Sequence, residues 1–207
     1  MKFRGSFEAH LAAVRNEQGL FLPFIGGEAA RLERCAIAVK RCMGVETGAA
    51  LDPWRAAQRI GVKVRGQEFF STLSEADRVQ VLEVGGNEWS AGTVVDGETA
   101  IIFLNPTHEL SRQKVTLAEE LTHLVMGHPP STIAHQTGMR THDGEVEAEA
   151  YGVGGAMVLP YPTLFRAVKA RRSIDGIAEG FAVSVPFVNY RINRTGLRRM
   201  YAKNAAT

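Results

Sequence analysis

Two stretches of this 207-residue chain constrain how it can fold: Glu119 to His128, and Glu145 to Val158. The first places Glu119 and His123 four residues apart, so on a helix they project from one face and can meet at one point. Glu120 lies about 100° further round and can lean over the same point. The second stretch carries Glu147 and then a run of small residues, Ala150, Gly152, Gly154, Gly155 and Ala156, which lets one helix pack closely against another. A close crossing of these two helices would bring Glu147 to the point that Glu119 and His123 share.

The first stretch differs by one letter from H-E-x-x-H, in which two His ligands one turn apart flank a Glu general base. Glu119 stands at the first His position. In that chemistry Glu119 and His123 are candidate metal ligands, and Glu147 is a candidate third ligand from a later helix. Glu120 would take the proton from water activated at the metal. A blander reading stays open. Thr116 to Glu119 fits a capping box, with Thr116 as N-cap and Glu119 a structural carboxylate at the third helical position. Glu120 would then be solvated helix surface and His123 a satisfied, partly buried histidine. A di-iron bundle would need a second E-x-x-H, which the chain lacks. His128 is five residues beyond His123, a poor spacing for a shared metal, and nothing selects His108, His135 or His142.

A wider order surrounds the motif. Ile101 to Leu104 is a strand-like apolar run ending in Asn105-Pro106. Ser111 to Ala118 leads into the Glu119 motif, which closes at Gly127-His128; Glu147 to Ala150 and Met157 to Pro160 follow. This order resembles the ImmA/IrrE-type metallopeptidase family, whose pattern runs from a strand ending in Asn through R-F-T-L-A-H-E-L-G-H and E-x-x-A to L-L-M-P. The resemblance spans about residues 45 to 200 and is strongest from 101 to 160. It implies Glu120 as catalytic base, His123 as metal ligand, Glu147 as third ligand and a His at position 119. Lys114 stands where Arg is usual, Val115 where Phe is usual, and Glu119 where the first ligand should be. The last departure bears on metal affinity and activity, not on the fold.

The expected fold is α+β and zincin-like: a small twisted sheet with the Glu119 helix packed on it, and a C-terminal hairpin like a helix-turn-helix. The strand ending at Asn105 is expected to be the edge that holds an extended peptide, with Asn105 touching the substrate. The expected function is metal-dependent proteolysis of a repressor-type protein partner in a bacterial or phage regulatory system, a substrate class that the resemblance implies. One divalent metal is expected, zinc first. The extra carboxylate makes the site more anionic, weakens Lewis acidity and favours harder ions such as manganese or iron. The competing reading is a catalytically inactive zincin-fold regulator that binds a protein partner or DNA.

Charge and composition place limits. The net charge is +2, but residues 166–203 hold nine basic and two acidic residues, so this part could face nucleic acid or an acidic partner. Ser173 to Leu197 reads as helix, tight turn and second helix. Packing of that hairpin through Phe187, Val188 and Ile192 is favoured over DNA reading by Asn189, Arg191 and Arg194. Apolar residues make up 45%, enough for a core, with no run long enough to cross a membrane. Met1 to Ser6 lacks the apolar core of a signal peptide, and Cys35 and Cys42 lie seven apart, too far for an easy disulfide on a helix; both point to the cytoplasm. Helices are expected at 28–43, 53–60, 111–127, 144–158 and 161–171, and strands at 62–64, 81–84, 91–95 and 99–104. Residues 1–27 show no clear pattern. The expected division is a helical extension (1–44), a zincin-like domain (45–172) and a basic hairpin and tail (173–207).

Overall fold

The computed structural model describes residues 3–17, 25–86, 88–129 and 143–205; Asn87, His135 and His142 lie outside these. Its sheet has three strands, β1 (Lys63–Arg65), β2 (Ala91–Asp96) and β3 (Thr99–Leu104), in the order β1-β3-β2. β2 and β3, the strands expected at 91–95 and 99–104, form an antiparallel hairpin, with Asp96 opposite Thr99 and Gly97 in the left-handed conformation at φ 57°. β1 joins β3 in parallel, Val64 opposite Ile102. Along β3, Ala100, Ile102 and Leu104 are buried and their neighbours less so, the alternation of a half-buried strand.

This order corrects one expectation. The strand ending at Asn105 is central, because β1 occupies the side that a local reading leaves open. Asn105 is fully buried. Its Nδ2 donates to the carbonyls of Gly86 (2.7 Å) and Trp89 (3.0 Å), and its Oδ1 accepts from Thr107 N (3.0 Å) and Thr107 Oγ1 (2.7 Å). Asn105 therefore staples two loops together and has no surface to offer a substrate. The edge beside the motif helix is β2. The strand expected at 81–84 is also absent. Ser74 caps α5 (Glu75–Arg78) by accepting from Asp77 N, and the helix runs on as a π-helical segment, Val79–Val84. Strand propensity in this valine-rich run gives way, and among the described residues no strand pairs with it.

The helices follow the sequence more closely. α1 (Phe3–Arg15) occupies the stretch without clear pattern and buries Phe7, Leu11 and Val14. α2 (Gly27–Cys42) packs beneath it, and α3 (Pro53–Arg59) opens with Asp52 accepting from Arg55 N at 3.1 Å. α4 (Gln67–Phe70) is one turn. α6 (Leu110–Met126) bears the motif, and α7 (Gly144–Val158) crosses it after Asp143 caps Glu145 N and Val146 N. α8 (Tyr161–Lys169), α9 (Ile174–Phe181), α10 (Val185–Arg194) and α11 (Arg198–Ala205) complete the chain.

α7 is the hub, and its glycines make it so. A Cβ on Gly154 would lie 2.8 Å from Glu119 N in α6; one on Gly152 would lie 2.7 Å from the Leu32 side chain of α2. Gly155 faces Phe187 and Arg191 of α10. A buried ion pair ties the same helices together. Arg191 Nη2 pairs with Glu33 Oε1, and the guanidinium also donates to the Leu159 carbonyl at 3.0 and 3.1 Å. Glu33 Oε2 accepts from Tyr161 N at 3.0 Å. Arg191 is thus a buried bolt, 1% exposed, and cannot reach DNA. Phe187, Val188 and Ile192 lie buried beside it, so the hairpin packs on the core. One cluster of buried residues runs from Phe7 to Leu197.

Candidate metal centre

α6 begins at Leu110 with Glu109 at its N-cap, so Thr116 is an interior, buried residue and no capping box forms. That frees Glu119 from the structural role. One ligand atom each from Glu119, His123 and Glu147 lies within 4.8 Å of the others. His123 Nε2 is 3.6 Å from Glu147 Oε2. Ligands at ~2.0–2.2 Å from a tetrahedral ion stand roughly 3.3–3.6 Å apart, so this pair is already at coordination spacing.

The electrostatics point the same way. The Glu119 carboxyl is pushed up to about 8, first by burial and then by the neighbouring carboxylates of Glu120 and Glu147. Carboxylates gathered on one half-buried point are relieved by a cation, and two carboxylate oxygens with one imidazole nitrogen suit a divalent one. The residues present therefore fit a divalent metal.

Glu120 points across to the sheet, where Thr93 Oγ1 of β2 donates to its Oε2 at 2.6 Å. The edge strand and the proposed base are thus locked together. Beside Glu119 opens a cleft of about 710 Å³, walled by Arg112, Thr116, Tyr151, Ser184 and Phe187. Two of these residues, Ser184 and Phe187, open α10, the second helix of the C-terminal hairpin, which gives that hairpin a place in the site.

Residues 74–193 match the family model of the IrrE N-terminal-like domain, a peptidase family. The chain belongs to this family. Membership makes it a chain of the ImmA/IrrE metallopeptidase type with a zincin-like α+β fold, and associates a metal and protein substrates with that fold. No curated protein matches the chain. Within the matched span of this IrrE-type domain lie β2, β3, α6 and α7, and with them Thr93, Glu119, Glu120, His123 and Glu147.

Two neighbours of the site escape a reading of helical spacing. Thr93 is 27 residues from Glu120, and nothing local links them. His128 is dismissed as a ligand by its i+5 offset, and it stands outside the ligand cluster. Gly127, however, ends α6 in the left-handed conformation at φ 70°, and His128 N donates back to the His123 carbonyl at 3.0 Å. This glycine cap folds residue i+5 onto residue i. His128 Nδ1 then sits 3.1 Å from His123 Nδ1, and its Nε2 is 3.3 Å from Glu149 Oε2. A Gly one residue before His was the signal. Burial and the adjacent His123 lower the pKa of His128.

Proposed function

We propose that this chain is a metal-dependent endopeptidase acting on a repressor-type protein partner, with activity weakened by Glu119. The observation that carries the reading is the convergence of Glu119, His123 and Glu147 on one point, with Glu120 fixed beside it by Thr93. In this reading Glu119, His123 and Glu147 hold the ion, zinc first and manganese or iron as alternatives. The ion supplies Lewis-acid polarisation of water and of the scissile carbonyl. Glu120 accepts the proton of the attacking water and passes it to the leaving amine. An extended substrate adds to the free edge of β2, where Val94 and Val95 are exposed. The cleft walled by Arg112 and Tyr151 takes one of its side chains. We take residues 45–172 as the catalytic unit, 1–44 as a helical brace and 173–207 as the hairpin that closes the cleft. Among the described residues no helix is long and apolar enough to cross a membrane, and Cys35 and Cys42 are free thiols; we place the activity in the cytoplasm.

The test is elemental analysis of the purified chain, followed by cleavage of a co-encoded repressor. Glu120→Gln removes the base and no ligand, so cleavage should fall by about 10²–10⁴-fold with metal content unchanged. Equal cleavage by the variant, or a native chain that takes up none of the three metals, would overturn the proposal. A second reading has one observation in its favour. The raised Glu119 carboxyl holds its proton near neutral pH, which suits a metal-free, inactive regulator that binds its partner through the same cleft.

A further inference from the structure

We infer that His128, Glu149 and Arg31 form a positioning relay behind His123, which fixes the nitrogen that this ring turns toward the metal. The inference rests on the metal-site reading above. His123 Nε2 faces Glu147 Oε2 at 3.6 Å, on the ligand side. Its Nδ1 faces the other way, 3.1 Å from Nδ1 of His128. Two ring nitrogens at that distance need one proton between them. With Nε2 of His123 left bare to coordinate, the proton sits on its own Nδ1, which donates, and His128 Nδ1 accepts. His128 must then carry its proton on Nε2. That atom lies 3.3 Å from Glu149 Oε2, a carboxylate that can only accept.

The chain continues one step further. Arg31 Nη1 pairs with Glu149 Oε1, while Arg31 Nε and Nη2 each donate to Glu28 at 2.7 Å. The guanidinium is thereby held on α2, and it holds the Glu149 carboxylate with it. Every proton has one place. Moving the proton of either ring to its other nitrogen leaves two donors, or two bare nitrogens, facing each other. The rings meet edge-on, with centroids 4.9 Å apart and planes at 79°, so neither swings without breaking the contact. A ligand histidine whose second nitrogen is held in this way keeps its tautomer and its aim. The relay draws on α2, the capped end of α6, and α7, where Glu149 stands two residues after the ligand Glu147. His128, Glu149 and Arg31 act through His123, and none of them touches substrate in this reading.

The test uses the full chain stripped of metal by chelation. Zinc affinity is measured by competition with a chromophoric chelator, and the cobalt-substituted spectrum serves as a second readout. His128→Phe keeps a ring and removes both nitrogens; His128→Asn restores an acceptor at the place of Nδ1. The expected result is a roughly ten- to hundredfold loss of zinc affinity and a shifted cobalt spectrum in His128→Phe, with most of the affinity recovered in His128→Asn. Unchanged affinity in His128→Phe would overturn the relay. So would equal losses in both variants, which would assign His128 to packing alone. Proton–nitrogen correlation spectra of the metal-free chain keep this test apart from the functional reading. Should the native chain bind no metal, that reading fails, but the relay still requires the proton on Nδ1 of His123 and on Nε2 of His128. The opposite tautomers would sink it.

Discussion

The protein buries carboxylates in two places and treats them in opposite ways. Glu33 meets the Tyr161 amide and Arg191, whose guanidinium is also held by the Leu159 carbonyl, in a pair whose side chains are 4% and 1% exposed. Glu119 meets two more carboxylates, and its own is driven up to about 8. The first arrangement is closed, because each charge has its counter-charge and the group joins three helices. The second is open, because the fold gathers acidic groups on a point that an added cation would suit. Buried charge is tolerated where the chain itself completes it, and where the chain leaves it incomplete the remainder defines a binding site.

The comparison breaks most sharply at Arg191. Arg191→Met strands Glu33 in the core and should cost about 3–5 kcal/mol in urea unfolding. A further Glu33→Gln should recover most of this loss, since a neutral amide carries a smaller desolvation penalty than a stranded carboxylate. If Arg191→Met alone is neutral, the pair is not the bolt described here. Glu119→Gln should be far gentler near neutral pH, because it leaves no counter-charge stranded in the core.

Glu119→His sharpens the open side. Two imidazoles and one carboxylate leave a divalent ion with net +1, whereas Glu119 and Glu147 together cancel its charge. Zinc affinity should rise on the order of tenfold, the step given by about 1.4 kcal/mol of ligand preference. Cleavage should rise with it, and Glu120→Gln in the same background should remove the gain. Unchanged zinc binding would mean that the site is not a zinc site with one ligand altered.

A further effect concerns pH. Glu119 holds its proton more tightly folded, with a pKa of about 8, than at its ordinary 4.5. In the metal-free chain its contribution to stability is full below about pH 4.5 and is lost as pH rises toward 8. Thermal melts in chelator should show that decline, and Glu119→Gln, which cannot titrate, should flatten part of it. Metal uptake requires the proton to leave, so metal affinity should instead climb over the same window. Identical melting profiles for the native chain and Glu119→Gln would show that Glu119 is not perturbed.

What the sequence revealed was what helical geometry makes local. Glu119 and His123 share a face by spacing, and the small residues of α7 announce a close crossing. Asp52, Ser74, Asp143 and Ser184 cap their helices by accepting from amides two or three residues ahead, which is also local geometry. What stayed hidden was partnership across the chain. β1 pairs with β3 in parallel through a crossover, and that turned Asn105 from an edge residue into a buried staple. Thr93 finds Glu120 through the sheet, and Glu33 finds Arg191 across 158 residues. α1 was written faintly, in Phe7, Leu11 and Val14 at helical spacing among polar neighbours and a glycine. The valine-rich stretch 79–84 misled because β-branched residues record a preference for a pleated surface, and no such surface is offered there.

Gly154 leaves no room between the helices that carry Glu119 and Glu147, and that close approach helps to bring the two proposed ligands together. In the proposed metal site the crossing would act as a calliper on ionic radius. An alanine at 154 would push α6 and α7 apart and open the jaws. Contacts of ~2.0–2.2 Å suit zinc, whereas ~2.3–2.6 Å suits calcium. A single methyl group far from solvent would thus, in that reading, shift which ion the site accepts without altering any of its proposed ligands.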